Sequence, residues 1–205
     1  MEHKVTDGSA LAAWFRAAGF LFILSAGLSL GAAEITWTGE GETPAWSDGG
    51  NWEGGVAPST NDVAVIPADT TMIGNDVDFN YANATATKWA SSRFESATAV
   101  LVASNMSASV THTVPLVGAG EFRAVESDNK KFTMNADNSD FTGSFYIKRT
   151  GFLAGSIGKK ALGLANNKII YYGNNAAKNY FQWDTTAAYS NEVHIYKHDG
   201  NRTHG

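Results

Sequence analysis

The chain has 205 residues and a formal net charge of −5, with 43% hydrophobic and 17% charged residues. An acidic, sparsely charged chain lacks the basic patch that nucleic acid demands. With no cysteine there is no disulfide framework, thiolate chemistry or Cys-based metal site, and 21 glycines against four prolines suit turns between strands rather than a low-complexity tail.

Residues 17–34, AAGFLFILSAGLSLGAAE, form an apolar core followed by small residues, with Arg16 just before it. Gly31 and Ala33 stand at the −3 and −1 positions of a small-residue cleavage site, which makes Glu34 the first mature residue. The run is shorter than the roughly 20 apolar residues that span a bilayer. Residues 1–33 are therefore read as a signal peptide, the alternative being an uncleaved N-terminal anchor.

After Glu34 no stretch shows a sustained helical period with caps. Short β-type runs follow one another instead, bounded by Gly, Asn, Asp and Ser: EITWTG, DVAVIP, TAVLVAS, ASVTHTVPLVG, EFRAVES, KFTMNA, SFYIKR, KIIYYG, YFQWD and EVHIYKH. The chain reads as all-β. Residues 34–115 form a Trp-rich N-terminal cap with the first strands, and residues 116–205 a repeat region. Gly118, Gly120, Gly143, Gly151, Gly155, Gly158, Gly163 and Gly173 are expected to supply positive φ at sharp turns. Asn166-Asn167 and Asn174-Asn175 are expected to do so more weakly.

Strand spacing alone also allows a β-sandwich. The internal pattern of residues 118–173 favours stacking, because strand, polar turn, strand and glycine recur in units too small to bury an apolar face alone. The inward residues of such a stack are expected to be Phe122, Phe132, Phe141, Ile147, Leu153, Leu162, Ile169 and Phe181.

The segment DNSDFTGSFYIKRTGFLAGSIGKKALGLANNKIIYYG (residues 137–173) resembles the β-strand repeat of passenger regions in bacterial autotransporter-type proteins. The shared features are the NSDFTG turn, the TGFLAG step, the KALG step and a closing strand with glycine. ITWTGEGETPAWSDGGNWEGGVAPSTNDVAVIP resembles the Trp-rich module that opens such passengers; residues 68–115 match least. The resemblance implies a right-handed parallel β-helix, exported beyond the inner membrane of a Gram-negative-type bacterium and held at or beyond the cell surface. It implies a structural or adhesin-like role, with no catalysis and no cofactor, and surface glycans or host-cell ligands as partners. Nothing in the sequence resembles the C-terminal membrane barrel of that family, which points to a fragment or a barrel-less relative. Membrane contact is then expected only through the signal peptide or such a barrel.

Several residue groups suggest chemistry. Exposed Trp37, Trp46 and Trp52 would stack on sugar rings; the competing reading is a cap over the open end of the column. Asp76 and Asp78, alternating on a strand, would share one face and suggest calcium, and Asp137 and Asp140 form a second acidic cluster, against which stands the reading of solvated turn carboxylates. A polysaccharide lyase or hydrolase would need basic groups beside carboxylates, and Arg123, Lys148 and Arg149 are the basics with strand placement. His194 and His198 do not align on a strand, and His112 is isolated. Gly118-x-Gly120 lacks the third glycine and the helix of a dinucleotide site. Asn83, Asn105 and Asn201 lie in Asn-x-Ser/Thr sequons that carry little weight in a bacterial protein.

Overall fold

In a computed structural model, residues 32–127, 129–155, 160–173, 180–183 and 190–197 are described. Their short β-favouring runs become fourteen strands. The first turn holds β1 (Glu34–Thr36), β2 (Val63–Ile66) and β3 (Thr71–Gly74), followed by a helix, α1 (Asp76–Asn83). The second holds β4 (Ser91–Phe94), β5 (Val100–Ala103) and β6 (Val110–His112); the third, β7 (Leu116–Gly118), β8 (Glu121–Val125) and β9 (Lys131–Met134). Then come β10 (Ser144–Lys148) and β11 (Gly151–Ala154), β12 (Lys168–Gly173) and β13 (Phe181–Trp183), and finally β14 (Glu192–Lys197).

These strands form three sheets, in the orders β1-β2-β4-β7, β3-β5-β8-β10-β12-β14 and β6-β9-β11-β13. Every ladder between them is parallel, and the chain winds as a β-solenoid of about five turns. The antiparallel layers of a β-sandwich are absent from the described residues. The register Glu121↔Ser144↔Lys168↔Glu192 sets a step of about 24 residues per turn, within the range of stacked-repeat architectures. Pairing of β4 with β7 and of β5 with β8 carries two sheets across Pro115, where the sequence divides cap from repeats.

The period of two within each strand sends alternate residues inward, and the parallel register stacks them. One column runs Met72–Leu101–Phe122–Phe145–Ile169–Val193. Another runs Val110–Phe132–Phe152–Phe181. Phe132, Phe152 and Phe181 are stacked nearly parallel, with ring centroids 6.1 and 5.9 Å apart. Each buried side chain of this size contributes roughly 1.5–3 kcal/mol, so burial and a continuous backbone ladder hold a chain that has no crosslinks.

Of the inward residues expected from sequence, Phe122, Phe132, Phe141, Ile147, Leu162 and Ile169 are buried, and Phe181 packs half-buried against them. Leu153 is not inward. It sits on the outer face between Thr133 and Gln182, and Phe152 takes the core position.

The glycines divide into two kinds. Gly118 and Gly163 have positive φ, at 85° and 68°. Gly120, Gly143 and Gly155 do not. A Cβ at Gly143 would lie 1.9 Å from the Gly120 carbonyl oxygen, so glycine is needed there for close approach of backbones rather than for φ. The corner after the six-stranded sheet uses no glycine in its central turns: Asn105, Glu126 and Arg149 take φ of 51°, 49° and 54°. Successive corners stay paired, with Glu126 N–H donating to Lys148 O, and the Arg149 guanidinium bridging to Glu126 at 2.5 Å. The expected signal peptide, apart from Ala32 and Ala33, lies outside the described residues, as do Gly158, Asn174 and Asn175.

The N-terminal end is closed by residues 37–62. Trp46 stacks on Trp89 at 5.4 Å, Trp52 meets Trp89 and Trp37 edge-on, and Trp46 also meets Phe79 of α1. The expectation of no capped helix fails at α1. Asn75 Oδ1 accepts hydrogen bonds from the Val77 and Asp78 N–H groups, and Asp78 Oδ2 accepts one from Asn75 N–H, a complete capping box. In the first turn α1 takes the place of a strand on the third side and packs on β6.

Candidate functional site

The outer face of the six-stranded sheet is where the solenoid meets solvent with something other than turn polarity. Register places three columns there. The first is Thr71–Val100–Glu121–Ser144–Lys168–Glu192, and the second Ile73–Val102–Arg123–Tyr146–Ile170–His194. The third runs Val125–Lys148–Tyr172–Tyr196. Parallel pairing is what makes rows of like groups, because each turn lays the same strand position over the last.

Two features stand out on this face. Tyr146, Tyr172 and Tyr196 form a stack with centroids 5.2 and 4.9 Å apart, and the Arg123 guanidinium lies over the Tyr146 ring at 5.8 Å. Beside the stack, Thr71, Ile73, Val102, Arg123, Val125, Tyr146 and Lys148 line a groove of about 580 Å³, rimmed by Ser104, Asn105 and Glu126. It continues toward the cap as a second depression of about 410 Å³, where Thr43 and Pro44 face Thr71 and Ile73. Ile73 is 54% exposed on this floor.

Among the described residues, most charges of the face are paired locally, exposed Lys168 excepted. Arg123 pairs with Glu121, Lys148 Nζ lies 3.7 Å from Glu126, and Arg149 pairs with the same Glu126. His194 Nε2 lies 2.9 Å from Glu192 Oε1 without the alignment of a hydrogen bond. Partial burial raises the Tyr146 hydroxyl above its usual range, with the neighbouring Tyr172 adding to the shift, so the Tyr146 ring is a neutral donor near neutral pH.

The sequence-derived candidates fall elsewhere. Trp37, Trp46 and Trp52 are 8%, 0% and 2% exposed, which leaves no indole face open to a sugar ring. Two of their indole N–H groups are engaged inside: Trp52 Nε1 donates to Trp46 O at 2.8 Å and Trp46 Nε1 to Ile73 O at 3.0 Å. Asp76 and Asp78 lie on α1, not on a strand. Asp76 accepts from Ser107 N–H and Oγ–H, which holds its carboxyl below the usual range, and Asp78 Oδ1 accepts from Trp46 N–H. Asp137 pairs with Lys160, whose hydrogen bond lowers its pKa, while Asp140 is exposed. Among the described residues no three His, Asp or Glu side chains converge as a metal site.

His112 is fully buried against Phe79 and Phe132, and desolvation pushes its pKa down to about 3. Of the three basics, Arg123 and Lys148 do meet at the groove, with Arg149 at the corner beyond it. Gly118 ends β7 and Gly120 lies just before β8, with no helix after them. The Asn83 side chain is already used, its amide donating to Phe79 O and its carbonyl accepting from Thr113 N–H. Asn105 is a corner of the groove rim; His198 and Asn201 lie outside the described residues.

No model of a known family, no curated protein and no solved structure matches this chain. The tyrosine stack was missed in the sequence because each tyrosine reads locally as an ordinary strand residue. Its signal was the spacing, one tyrosine per turn.

Proposed function

We propose that the chain is an exported, structural β-solenoid of adhesin-like character: a passenger segment held at or beyond the surface of a Gram-negative-type cell and acting without catalysis. The observation that carries this reading is the asymmetry of the solenoid. One end is closed by a tryptophan plug and a capped helix, while the outer face of the longest sheet is left as a broad surface with locally balanced charge. A scaffold needs such a wall and little else. The signal-like residues 17–34 and the resemblance to passenger repeats supply the direction of export.

Expression of the full chain with a C-terminal epitope in a Gram-negative host tests it. The expected result is N-terminal sequencing that begins at Glu34 and epitope that protease added to intact cells removes. A cytoplasmic product still beginning at Met1 would overturn the reading.

A further inference from the structure

We infer that the groove on the outer face of the six-stranded sheet, from Ile73 past Arg123 and Tyr146 toward the Tyr172–Tyr196 stack, binds an uncharged oligosaccharide chain lying along the solenoid axis.

Three observations converge on that ligand chemistry. First, the charges are spent on one another, since Arg123 pairs with Glu121 and Lys148 with Glu126. A polyanion or polycation would have to break these pairs, whereas a neutral polyhydroxy chain finds fixed donors and acceptors in place. Second, the floor alternates apolar and polar groups. Ile73 and Val125 offer apolar area, Val102 itself being buried, and Ser104, Asn105 and the charged heads edge it. A pyranose ring carries the same alternation, with C–H faces and equatorial hydroxyls. Third, among the described residues the hydroxyls of Tyr146, Tyr172 and Tyr196 have no hydrogen-bond partner, and their rings recur at 5.2 and 4.9 Å. That spacing is close to the length of one sugar unit; Tyr172 and Tyr196 are in register, and Tyr146 lies one side-chain position along its strand, opposite Ile170, so a linear glycan meets one tyrosine edge per turn. The faces of Tyr146 and Tyr172 are covered by the Arg123 guanidinium and by neighbouring rings, which makes their hydroxyl edges the recognition element. An extended peptide is a poorer occupant, because it gains most from adding to a strand edge, and this groove lies on a face whose backbone is already paired.

The inference rests on the surface-scaffold reading only for access to the ligand. Binding by purified protein is measured independently of export, so the two fail separately. Isothermal titration of the folded protein with linear neutral gluco-, manno-, galacto- and N-acetylglucosamine oligomers of two to six units is the test, with uronic-acid oligomers as the anionic comparison. We expect one neutral series to bind with affinity that rises with chain length. Tyr146→Phe combined with Tyr172→Phe, which keeps the rings and the fold, should weaken that series at least fivefold. No binding by any neutral series, preference for the uronates, or equal affinity in the double variant would each overturn the inference. So would dimerisation through this face, seen as a mass doubling that the exposed substitution Ile73→Lys abolishes.

Discussion

The indole N–H of Trp46 donates to the carbonyl of Ile73 at 3.0 Å, joining the cap to the first strand of the six-stranded sheet. That strand, β3, is an edge, and an open edge invites pairing with other chains. Trp46 therefore plugs the core and occupies one acceptor of the edge. Trp46→Phe keeps an aromatic ring and loses the donor, which we expect to cost about 1–2 kcal/mol. Trp46→Ala removes a fully buried side chain and should cost about 3–5 kcal/mol. Urea unfolding of both variants measures the difference, and a Trp46→Phe chain as stable as the parent would show that the hydrogen bond contributes nothing.

Asp78 ties two structures together. Its carboxylate accepts from Asn75 N–H at the start of α1 and from Trp46 N–H in the cap. Asp78→Ala strands both donors and is expected to destabilise by about 1–3 kcal/mol. Hydrogen exchange should show the loss first in α1 and the Trp46 amide. Uniform protection in the variant would contradict this coupling.

Gly143 faces the Gly120 carbonyl so closely that any Cβ must displace backbone. Gly143→Ala should lower stability by about 1–3 kcal/mol through overpacking. Lys160→Ala, which removes an exposed partner of Asp137, should leave the melting temperature unchanged, since surface pairs contribute little. Matching melting temperatures for the two variants would refute the close-approach assignment.

His112 gives the molecule an acid limb. It is buried neutral with a pKa of about 3, against an ordinary value of 6.5, because burial disfavours the charged ring. The unfolded chain thus binds a proton that the folded chain refuses. Stability is complete above about pH 6.5 and falls progressively as pH drops toward 3, by a few kcal/mol on the order set by linkage. The Asp76 carboxyl, held low by Ser107, adds a loss of the same sign at more acid pH. His112→Leu removes an unpaired buried Nε2 and should flatten the profile between pH 6.5 and 4. An unchanged profile in chemical denaturation at several pH values would rule out His112 as the source.

Much of the fold was legible because a solenoid repeats its instructions. Phe122, Phe145 and Ile169 announce the core through period-two alternation, once per turn, and the polar turns between them mark the corners. Where two apolar residues adjoin, as at Phe152-Leu153, alternation does not say which faces inward; the phase came from the stacked Phe132. The helix α1 was hidden by its length of eight residues and its weak amphipathicity. Asp76 and Asp78 then looked like alternating strand carboxylates, although Asn75 with Asp78 three residues on was a readable capping box. Trp89, which completes the tryptophan plug, stands alone in sequence 37 residues after Trp52, and only the winding of the chain brings it back. The groove was illegible for the same reason, since its floor draws one or two residues from each turn.

Cross-linking tests the parallel stack most directly, and the absence of cysteine gives a clean background. Ser144 and Lys168 are in-register neighbours on adjacent strands, within the Cα separation a disulfide requires, about 4.4–6.8 Å. Ser144 and Glu192 are two strands apart, beyond that reach at about 4.8 Å per strand. Oxidation of the purified Ser144→Cys/Lys168→Cys chain should close an intramolecular disulfide, while Ser144→Cys/Glu192→Cys stays reduced under the same conditions. Failure of the first pair to close, or ready closure of the second, would contradict the solenoid.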